Sequence, residues 1–191
     1  MLLKYDFWER KFIETEKIIN YLYRTEGRAE IVHDKIIKLD LEGSLSNQAK
    51  SNIAFSLHKY QKDTKKGFVV TTLVAYIVDL PYRKSFSPSV SFHIGERAGM
   101  KFLQGAPVFA VEVRSENDYG IRAEDAIKQK RKDYFAAGTK VVWDVDLLSD
   151  DVIKSYSFNN PDNPKVFKRG EIADAEPALP SWEIAVDELF D

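Results

Sequence analysis

The feature that most constrains this chain is an acidic residue inside a short apolar run. Residues 107–115 read PVFAVEVRS, so Glu112 has a valine on either side. A run of this length, rich in Val and Phe, predicts a strand that is buried on both faces of a sheet. An ionised carboxylate in such a strand is costly unless a cation, a metal or hydrogen-bond donors compensate it. We therefore expect a compensating partner close to Glu112.

The segment after this strand supplies a candidate partner. Residues 121–137 predict a helix that ends at Gly138, because glycine suits the left-handed position just past a helix. At about 100° per residue, five of its residues form one narrow stripe with Lys130 near the centre. The stripe consists of Ala123, Ile127, Lys130, Tyr134 and Ala137. The following KVVWDVD predicts a second strand, which completes a strand–helix–strand unit over residues 107–146.

Two interpretations of this acid and this base remain open. Glu112 and Lys130 could form a functional site on adjacent elements of one unit. Alternatively, Glu112 could make a structural ion pair with Lys130 or Arg114, and Lys130 could extend its ammonium group to solvent along an apolar stem. The occurrence of both residues where apolar ones are expected favours the site.

Length and composition restrict the class of protein. A chain of 191 residues predicts one compact domain over residues 1–191. It contains no cysteine, which excludes a disulfide framework and a thiolate metal site. Charges interrupt the N-terminal residues, and the longest uncharged apolar stretch, residues 67–78, is too short to span a bilayer as a helix. We expect a cytoplasmic protein that is not associated with membranes.

The remaining chain predicts helices and strands around the central unit. Helices are expected over residues 5–23 and 48–61. A hairpin is expected over residues 29–39, a long strand over 68–78, and an alternating strand over 89–94. A later hairpin is expected to join residues 152–158 to 165–169 through the turn-rich NNPDNP, before a tail that ends in a short helix.

Several chemistries have no motif in this sequence. The chain has no GxGxxG, no GxxxxGK[ST] and no GxSxG segment, and its histidines (His33, His58 and His93) are far apart with no HxxxH spacing. Nucleotide-fold, acyl-transfer and zinc-hydrolase readings therefore lack support, and His93 is a weak candidate for a site. What remains is carboxylate chemistry with a hard cation such as Mg²⁺.

The order of several segments resembles a known family. These segments are AEIV with DKIIKL, GSLSNQ before a helix, FSPSVSF, APVFAVEVRS, a helix with Lys130-x-x-x-Tyr134, AAGTKVVWDVD and a final LPSW with DELF. Together they resemble the Uma-type restriction-endonuclease family of the PD-(D/E)XK nuclease superfamily, from about Ala29 to Phe190. Each segment alone is weak, whereas the combination is fairly specific.

The resemblance implies an α/β fold and a reaction. The fold would be a restriction-endonuclease-like core, a mixed sheet flanked by helices, with an N-terminal helix and β-hairpin. The reaction would be Mg²⁺- or Mn²⁺-dependent cleavage of DNA phosphodiesters. The family's acid in its V-E-V segment falls on Glu112, and Glu30 matches an acid that helps to hold the metal. The superfamily's basic position falls on Arg114, a poor general base, and in this family the basic role points to Lys130.

One departure from the family pattern affects the expected activity. The family's first acid lies in a Pro-Asp-Val segment, where this chain has Pro88-Ser89-Val90. Because a serine oxygen is a neutral and weaker ligand for a hard cation, metal binding should be weakened. The alternatives are impaired cleavage, another acid such as Glu30 or Glu96 in its place, or an inactive nuclease fold that binds nucleic acid or protein. Hydrolysis of a small phosphorylated molecule is a further, weaker hypothesis.

The expected partner is nucleic acid, most simply DNA. Nucleases that cut both strands are often two-fold dimers, so a homodimer is also expected. The net charge of −2 favours neither nucleic-acid binding nor its absence, and no recognition helix or basic stripe stands out.

Overall fold

The computed structural model describes residues 14–191 of the chain, and a six-stranded mixed sheet lies at its centre. In chain order the elements are α1 (helical over residues 14–24), β1 (Ala29–Val32), β2 (Lys35–Lys38), α2 (Ser44–Thr64), β3 (Phe68–Thr71), β4 (Tyr76–Ile77), β5 (Ser85–Phe86), β6 (Val90–His93), β7 (Leu103–Gln104), β8 (Phe109–Val113), α3 (Ile121–Ala136), β9 (Val141–Val145), β10 (Ile153–Ser157), β11 (Asn160–Phe167), β12 (Ile172–Asp174), β13 (Glu183–Ala185) and a 3-10 helix (Val186–Phe190). The central sheet has the order β11-β10-β9-β8-β6-β3.

The predicted strand–helix–strand unit forms the middle of this sheet. Strands β8 and β9 pair in parallel, and α3 is the crossover between them. All other neighbours in the six-stranded sheet are antiparallel. Gly138, just beyond α3, has φ +102°, which explains why glycine occupies this position. The predicted mixed sheet with flanking helices is confirmed.

Two apolar clusters cover the two faces of the sheet. Because side chains alternate along a strand, Val111 packs into the cluster that contains α2, whereas Ala110 packs into the cluster that contains α3. The α2 side includes a group of aromatic rings in which Phe109 and Trp143 have centroids 5.2 Å apart. Glu112 therefore shares the α3 face of the sheet with Ala110.

The N-terminal hairpin and helix follow the prediction in the described residues. Strands β1 and β2 are joined by His33 and Asp34, whose φ values of 49° and 53° form a tight two-residue turn. Residues 14–24 are helical, and residues 5–13 of the predicted first helix lie outside the described residues.

Two predicted boundaries are wrong. The stretch over residues 68–78 is two short strands, β3 and β4, because the chain turns between them at Leu73, where φ is +76°. In the NNPDNP segment only Asn159 belongs to the turn, because β11 already begins at Asn160. Its prolines are tolerated because β11 is an edge strand, where missing N–H donors do not interrupt the ladder.

No helix within residues 14–191 combines the length and the apolar character that crossing a bilayer requires.

Candidate active site

A cleft opens between the β1–β2 hairpin and α3, beside the end of β8. Its volume is about 390 Å³. Glu30 on β1, Glu112 on β8 and Lys130 on α3 all line it. The predicted stripe of α3 faces this cleft, since Ala123, Ile127, Lys130 and Tyr134 belong to its lining. Three separate segments of the chain thus place charged groups at one location.

Lys130 joins the two carboxylates at the floor of the cleft. Its Nζ atom lies 2.8 Å from Oε1 of Glu30 and 2.8 Å from Oε1 of Glu112. The side chains of Glu30, Lys130 and Glu112 are 4%, 16% and 20% exposed, so Glu112 is the most accessible of the three. The structure therefore brings together three of the residues that the sequence singled out. The ammonium group of Lys130 does not extend to bulk solvent.

Glu30 is held in its charged form by several partners. Arg83 donates to its Oε2 at 2.6 Å, and the backbone N–H of Ser87 donates to its Oε1 at 2.8 Å. Burial acts to raise the pKa of Glu30, but the charges of Lys130 and Arg83 and these hydrogen bonds outweigh it and lower the pKa below 4.5. Both oxygens of Glu30 are thus engaged by donors.

Glu112 has a neutral donor on one oxygen and more freedom on the other. The hydroxyl of Tyr134 donates to Oε1 at 2.6 Å. Burial and the charge of Glu112 raise the pKa of Tyr134 well above 10, so this phenol stays protonated and remains a donor. Oε2 accepts only a long 3.4 Å contact from Arg28 among the described residues. Glu112 can therefore accept a further ligand at Oε2.

Charged residues that the sequence analysis missed surround this centre. Arg28 donates to Glu42 at 2.9 Å, Glu42 also pairs with Lys50, and Arg83 donates to Asp133 at 2.8 Å. Burial and the charge of Arg28 lower the pKa of Lys50 to about 8. In the sequence, the one signal for Arg28 was its position two residues before Glu30, which predicts that both side chains lie on the same face of the strand.

Arg114 lies two residues after Glu112 but bonds to other acids. Its Nε and Nη2 each donate to Asp144 at 2.8 Å, and it also pairs with Glu124 on α3. The hydrogen bond to Asp144 is the main cause that raises the pKa of Arg114. Arg114 lines the cleft and fastens β8 to β9 and α3, and none of its hydrogen bonds in the described structure goes to Glu112.

Ser89 lies immediately before β6 and beside Glu112. The pairing of Val90 with Val111, continued by one residue, sets Ser89 opposite Glu112 on the adjacent strand. Ser89 is 1% exposed, and its Oγ accepts a hydrogen bond from the backbone N–H of Val113 at 3.2 Å. Among the described residues, none of the hydrogen bonds of this side chain goes to Glu30, Glu112 or Lys130. The serine thus occupies the expected place without joining the charged centre.

His93 lies apart from the cleft. It is 4% exposed and packs edge-on against Phe68 and Tyr76, with ring centroids 5.4 and 5.3 Å away. It does not belong to the lining of the cleft. His93 is therefore part of the core on the α3 side of the sheet.

The acidic residues at the floor of the cleft could supply only part of the ligands that a divalent ion requires. Within residues 14–191, no three Asp, Glu or His residues are grouped as a dedicated metal cage. Mg²⁺ in proteins is commonly bound by one or two carboxylates together with water and substrate phosphate. Glu112, whose Oε2 accepts only the long contact from Arg28 among the described residues, matches that smaller share, whereas both oxygens of Glu30 are already engaged by donors. The cation already between them, Lys130, indicates that this position favours positive charge.

Comparison with known proteins indicates a nuclease-like fold. A crystal structure described as that of a putative nuclease belonging to DUF820 from Anabaena variabilis superposes with a TM-score of 0.70 and 17% identity. The match covers 87% of this chain and 91% of that one. The sequence model of the Uma2 family, described as "Putative restriction endonuclease", matches residues 16–187, and this chain belongs to that family. No curated protein matches the chain.

Proposed function

We propose that this protein is a divalent-metal-dependent endonuclease that hydrolyses phosphodiester bonds of DNA. The observation that carries the proposal is the contact of Lys130 with both Glu30 and Glu112 in one accessible cleft. Phosphoryl chemistry needs carboxylates that hold a metal and a cation that balances charge on the phosphate, and this cleft offers both. Family membership supports the same reaction class.

Each residue at the floor of the cleft has a distinct proposed role. Glu112, helped by Glu30, would hold Mg²⁺ or Mn²⁺, and such an ion supplies Lewis-acid polarisation of the phosphate and an acidified water. Lys130 would stabilise negative charge on the phosphate oxygens at the site of attack, or orient the attacking water. Tyr134 keeps the Glu112 carboxylate oriented through its 2.6 Å hydrogen bond. These roles require the cluster to be held rigidly, which its buried hydrogen bonds provide.

Arg114 and Ser89 take lesser parts in this proposal. Because Asp144 and Glu124 occupy the Arg114 guanidinium, its proposed contribution is to position the end of β8. A catalytic role for Arg114 and a metal-ligand role for Ser89 remain predictions. The position of Ser89 opposite Glu112 would allow its hydroxyl to bind a metal-coordinated water. With a serine in place of a carboxylate, we expect weak metal affinity and slow cleavage.

The direct test compares the protein with Glu112→Gln on plasmid and linear DNA in Mg²⁺ or Mn²⁺. The glutamine keeps the shape of the side chain and a hydrogen-bond acceptor for Tyr134, so the fold should survive. We expect cleavage by the unchanged protein and its loss, by at least about a hundredfold, in Glu112→Gln. Glu183→Gln, at an exposed position on β13, is the matched control and should retain full activity. Cutting by Glu112→Gln at the rate of the unchanged protein would refute the proposal.

A second candidate function is nucleic-acid binding without cleavage, which Ser89 favours. The bonds between basic and acidic groups at the floor also leave few free metal ligands. This alternative predicts no cleavage and no heat of Mn²⁺ binding in a calorimetric titration. It also predicts DNA affinity that falls steeply as salt is raised.

A further inference from the structure

The cleft above Glu112 and Lys130 has two apolar walls. Ile37 pairs in register with Glu30, so its side chain shares the hairpin face that carries this acid, and it is 44% exposed. The opposite wall is α3, whose Ala126 is also exposed. The apolar residues of the two walls are Val32, Ile37, Leu39, Ala123, Ala126 and Ile127. Apolar surface is thus exposed directly beside a charged floor.

The wall formed by α3 carries two alanines beside Ile127. Ala123, Ala126 and Ile127 are spaced three and four residues apart, so they share one helix face with Lys130. The two alanines leave space where larger side chains would fill the cleft. A flat group could therefore lie between the hairpin and α3 and cover both walls at once.

Each wall also carries one cation that makes no direct ion pair in residues 14–191, and the charge of Arg131 acts on the Glu124 carboxylate at longer range. Lys38 on the hairpin and Arg131 on α3 line the cleft, and neither forms an ion pair within the described part of the chain. The Arg131 guanidinium lies 3.6 Å from the ring centre of Tyr156, a cation–π contact that positions it while leaving its charge available. The bases at the floor differ, because Arg28, Arg83 and Lys130 are each paired with carboxylates.

These features fit one kind of occupant. A nucleotide base has two apolar faces and is joined to an anionic phosphate, which matches two apolar walls that each carry one cation outside the direct ion pairs of the described residues. The cleft volume of about 390 Å³ is near the lower end of the range for pockets that hold one small molecule. Inside a duplex, neighbouring bases cover both faces of every base, so a base can contact two protein walls only after leaving the stack.

We propose that the cleft takes a single unpaired nucleotide, with its base between Ile37 and Ala126 and its phosphates near Lys38 and Arg131. The preferred substrate is then single-stranded or locally unpaired nucleic acid rather than continuous duplex. This inference rests on the proposed function and specifies the form of its substrate. A phosphate adjacent to the bound base would lie over Glu112 and Lys130.

Binding is measured without metal, in EDTA, so that cleavage does not interfere. The probes are a single-stranded oligonucleotide carrying 2-aminopurine, the same strand in a blunt duplex, and a duplex with a central unpaired bubble. We expect the single strand and the bubble to bind at least about tenfold more tightly than the duplex, because neither has to be unstacked and unpaired first. The emission of 2-aminopurine should change on binding, since the base enters an apolar cleft.

Two exposed alanines of α3 provide a matched pair of variants. Ala126→Trp fills the cleft and should weaken single-strand binding at least about tenfold, whereas Ala136→Trp, outside the cleft lining, should not. A second variant, Ile37→Ser, should weaken the same binding, with Ile172→Ser on β12 as its control. Circular dichroism establishes that each variant is folded.

Three results would each overturn the inference. The first is duplex binding as tight as single-strand binding, and the second is an unchanged affinity in Ala126→Trp and Ile37→Ser. If either occurs while the protein still cuts DNA in a Glu112-dependent way, the proposed function stands and only the substrate form is wrong. The third is a protein that neither binds nor cuts any of the nucleic acids, which overturns both.

Discussion

At the floor of the cleft, the ammonium group of Lys130 lies between two carboxylates that would repel each other without it. Glu30 and Glu112 each accept a 2.8 Å contact from this one nitrogen. A divalent ion at the same carboxylates would be repelled by the lysine charge, so lysine and metal compete for the same pair of side chains. In the proposed mechanism, Lys130 thus has two opposite effects, since it would stabilise charge on the phosphate but weaken metal binding in the free protein.

Replacing Lys130 by Met should separate these two effects. We expect Lys130→Met to abolish cleavage and to tighten Mn²⁺ binding by about tenfold or more, because one positive charge leaves the two carboxylates. Isothermal titration with Mn²⁺ in the absence of DNA measures the affinity directly. Lys128→Met, at an exposed position two residues earlier on the same helix, is the control and should bind Mn²⁺ like the unchanged protein. Unchanged or weaker Mn²⁺ binding by Lys130→Met would contradict the idea that the lysine and the metal compete for the two carboxylates.

The central charged residues could be predicted from the sequence, but their surroundings could not. Glu112 stands out because it interrupts an apolar run, and Lys130 because it interrupts an apolar stripe. Glu42 and Lys50 carry no such signal, since charged residues near a loop and in a helix ordinarily face water. Only the folded chain reveals that both belong to a buried ionic network with Arg28.

Among the elements, the β1–β2 hairpin forms one wall of the cleft although it is not a strand of the central sheet. Its backbone is tied to the segment before β5, where the N–H of Lys84 donates to Ile31 at 3.0 Å. Arg83 adds a link between side chains, because it bonds Glu30 on the hairpin and Asp133 on α3 at 2.6 and 2.8 Å. This one guanidinium, 6% exposed, therefore connects both walls of the cleft.

Removing the Arg83 guanidinium should destabilise the protein strongly. We expect Arg83→Met to lower the free energy of unfolding by about 3–5 kcal/mol, because Glu30 and Asp133 would remain buried without this cation. Urea denaturation followed by circular dichroism measures the change. Arg122→Met, at an exposed position on α3, should change stability by less than about 0.5 kcal/mol.

A further variant tests whether the lost charge pairing of Arg83 causes the destabilisation. Adding Glu30→Gln to Arg83→Met removes one of the two buried carboxylates that lose this guanidinium, so the double variant should be less destabilised than the sum of the two single variants. Strict additivity would indicate that Arg83 stabilises the fold through packing and not through its charge.

Element boundaries were less predictable than element types. The strand–helix–strand unit followed from periodicity and from Gly138. By contrast, the break at Leu73 is not marked by a glycine or a proline. The sequence VVTTLV over residues 69–74 is typical of a continuous strand. The prolines after Asn160 indicated a turn, yet an edge strand tolerates them, and edge position depends on the whole sheet.

Across the whole molecule, the sheet is covered by α2 on one face and by α3 on the other, and ionisable groups are buried on the α3 side. His93 is among them, packed against Phe68 and Tyr76, and burial lowers its pKa below 6.5. Glu30 has a pKa below 4.5 because the charges of Lys130 and Arg83 outweigh the effect of its burial. Both shifts mean that the unfolded chain binds protons more readily than the folded protein, so stability should fall as the solution becomes acidic.

The two groups should act in different pH ranges. For His93, stability is lost as the pH falls below 6.5 towards the lower pKa of the folded state, with a slope of at most about 1.4 kcal/mol per pH unit. For Glu30, the stability present above pH 4.5 is lost only as the pH falls below that value. Urea unfolding between about pH 7 and pH 5, below the pKa of about 8 of Lys50 and above 4.5, therefore isolates the histidine contribution. His93→Phe should flatten the decline in this range, because phenylalanine fills the aromatic site without titrating, whereas His58→Phe, at an exposed position on α2, should leave it unchanged. If the decline persists in His93→Phe, another buried group must take up the proton, and the assignment to His93 is wrong.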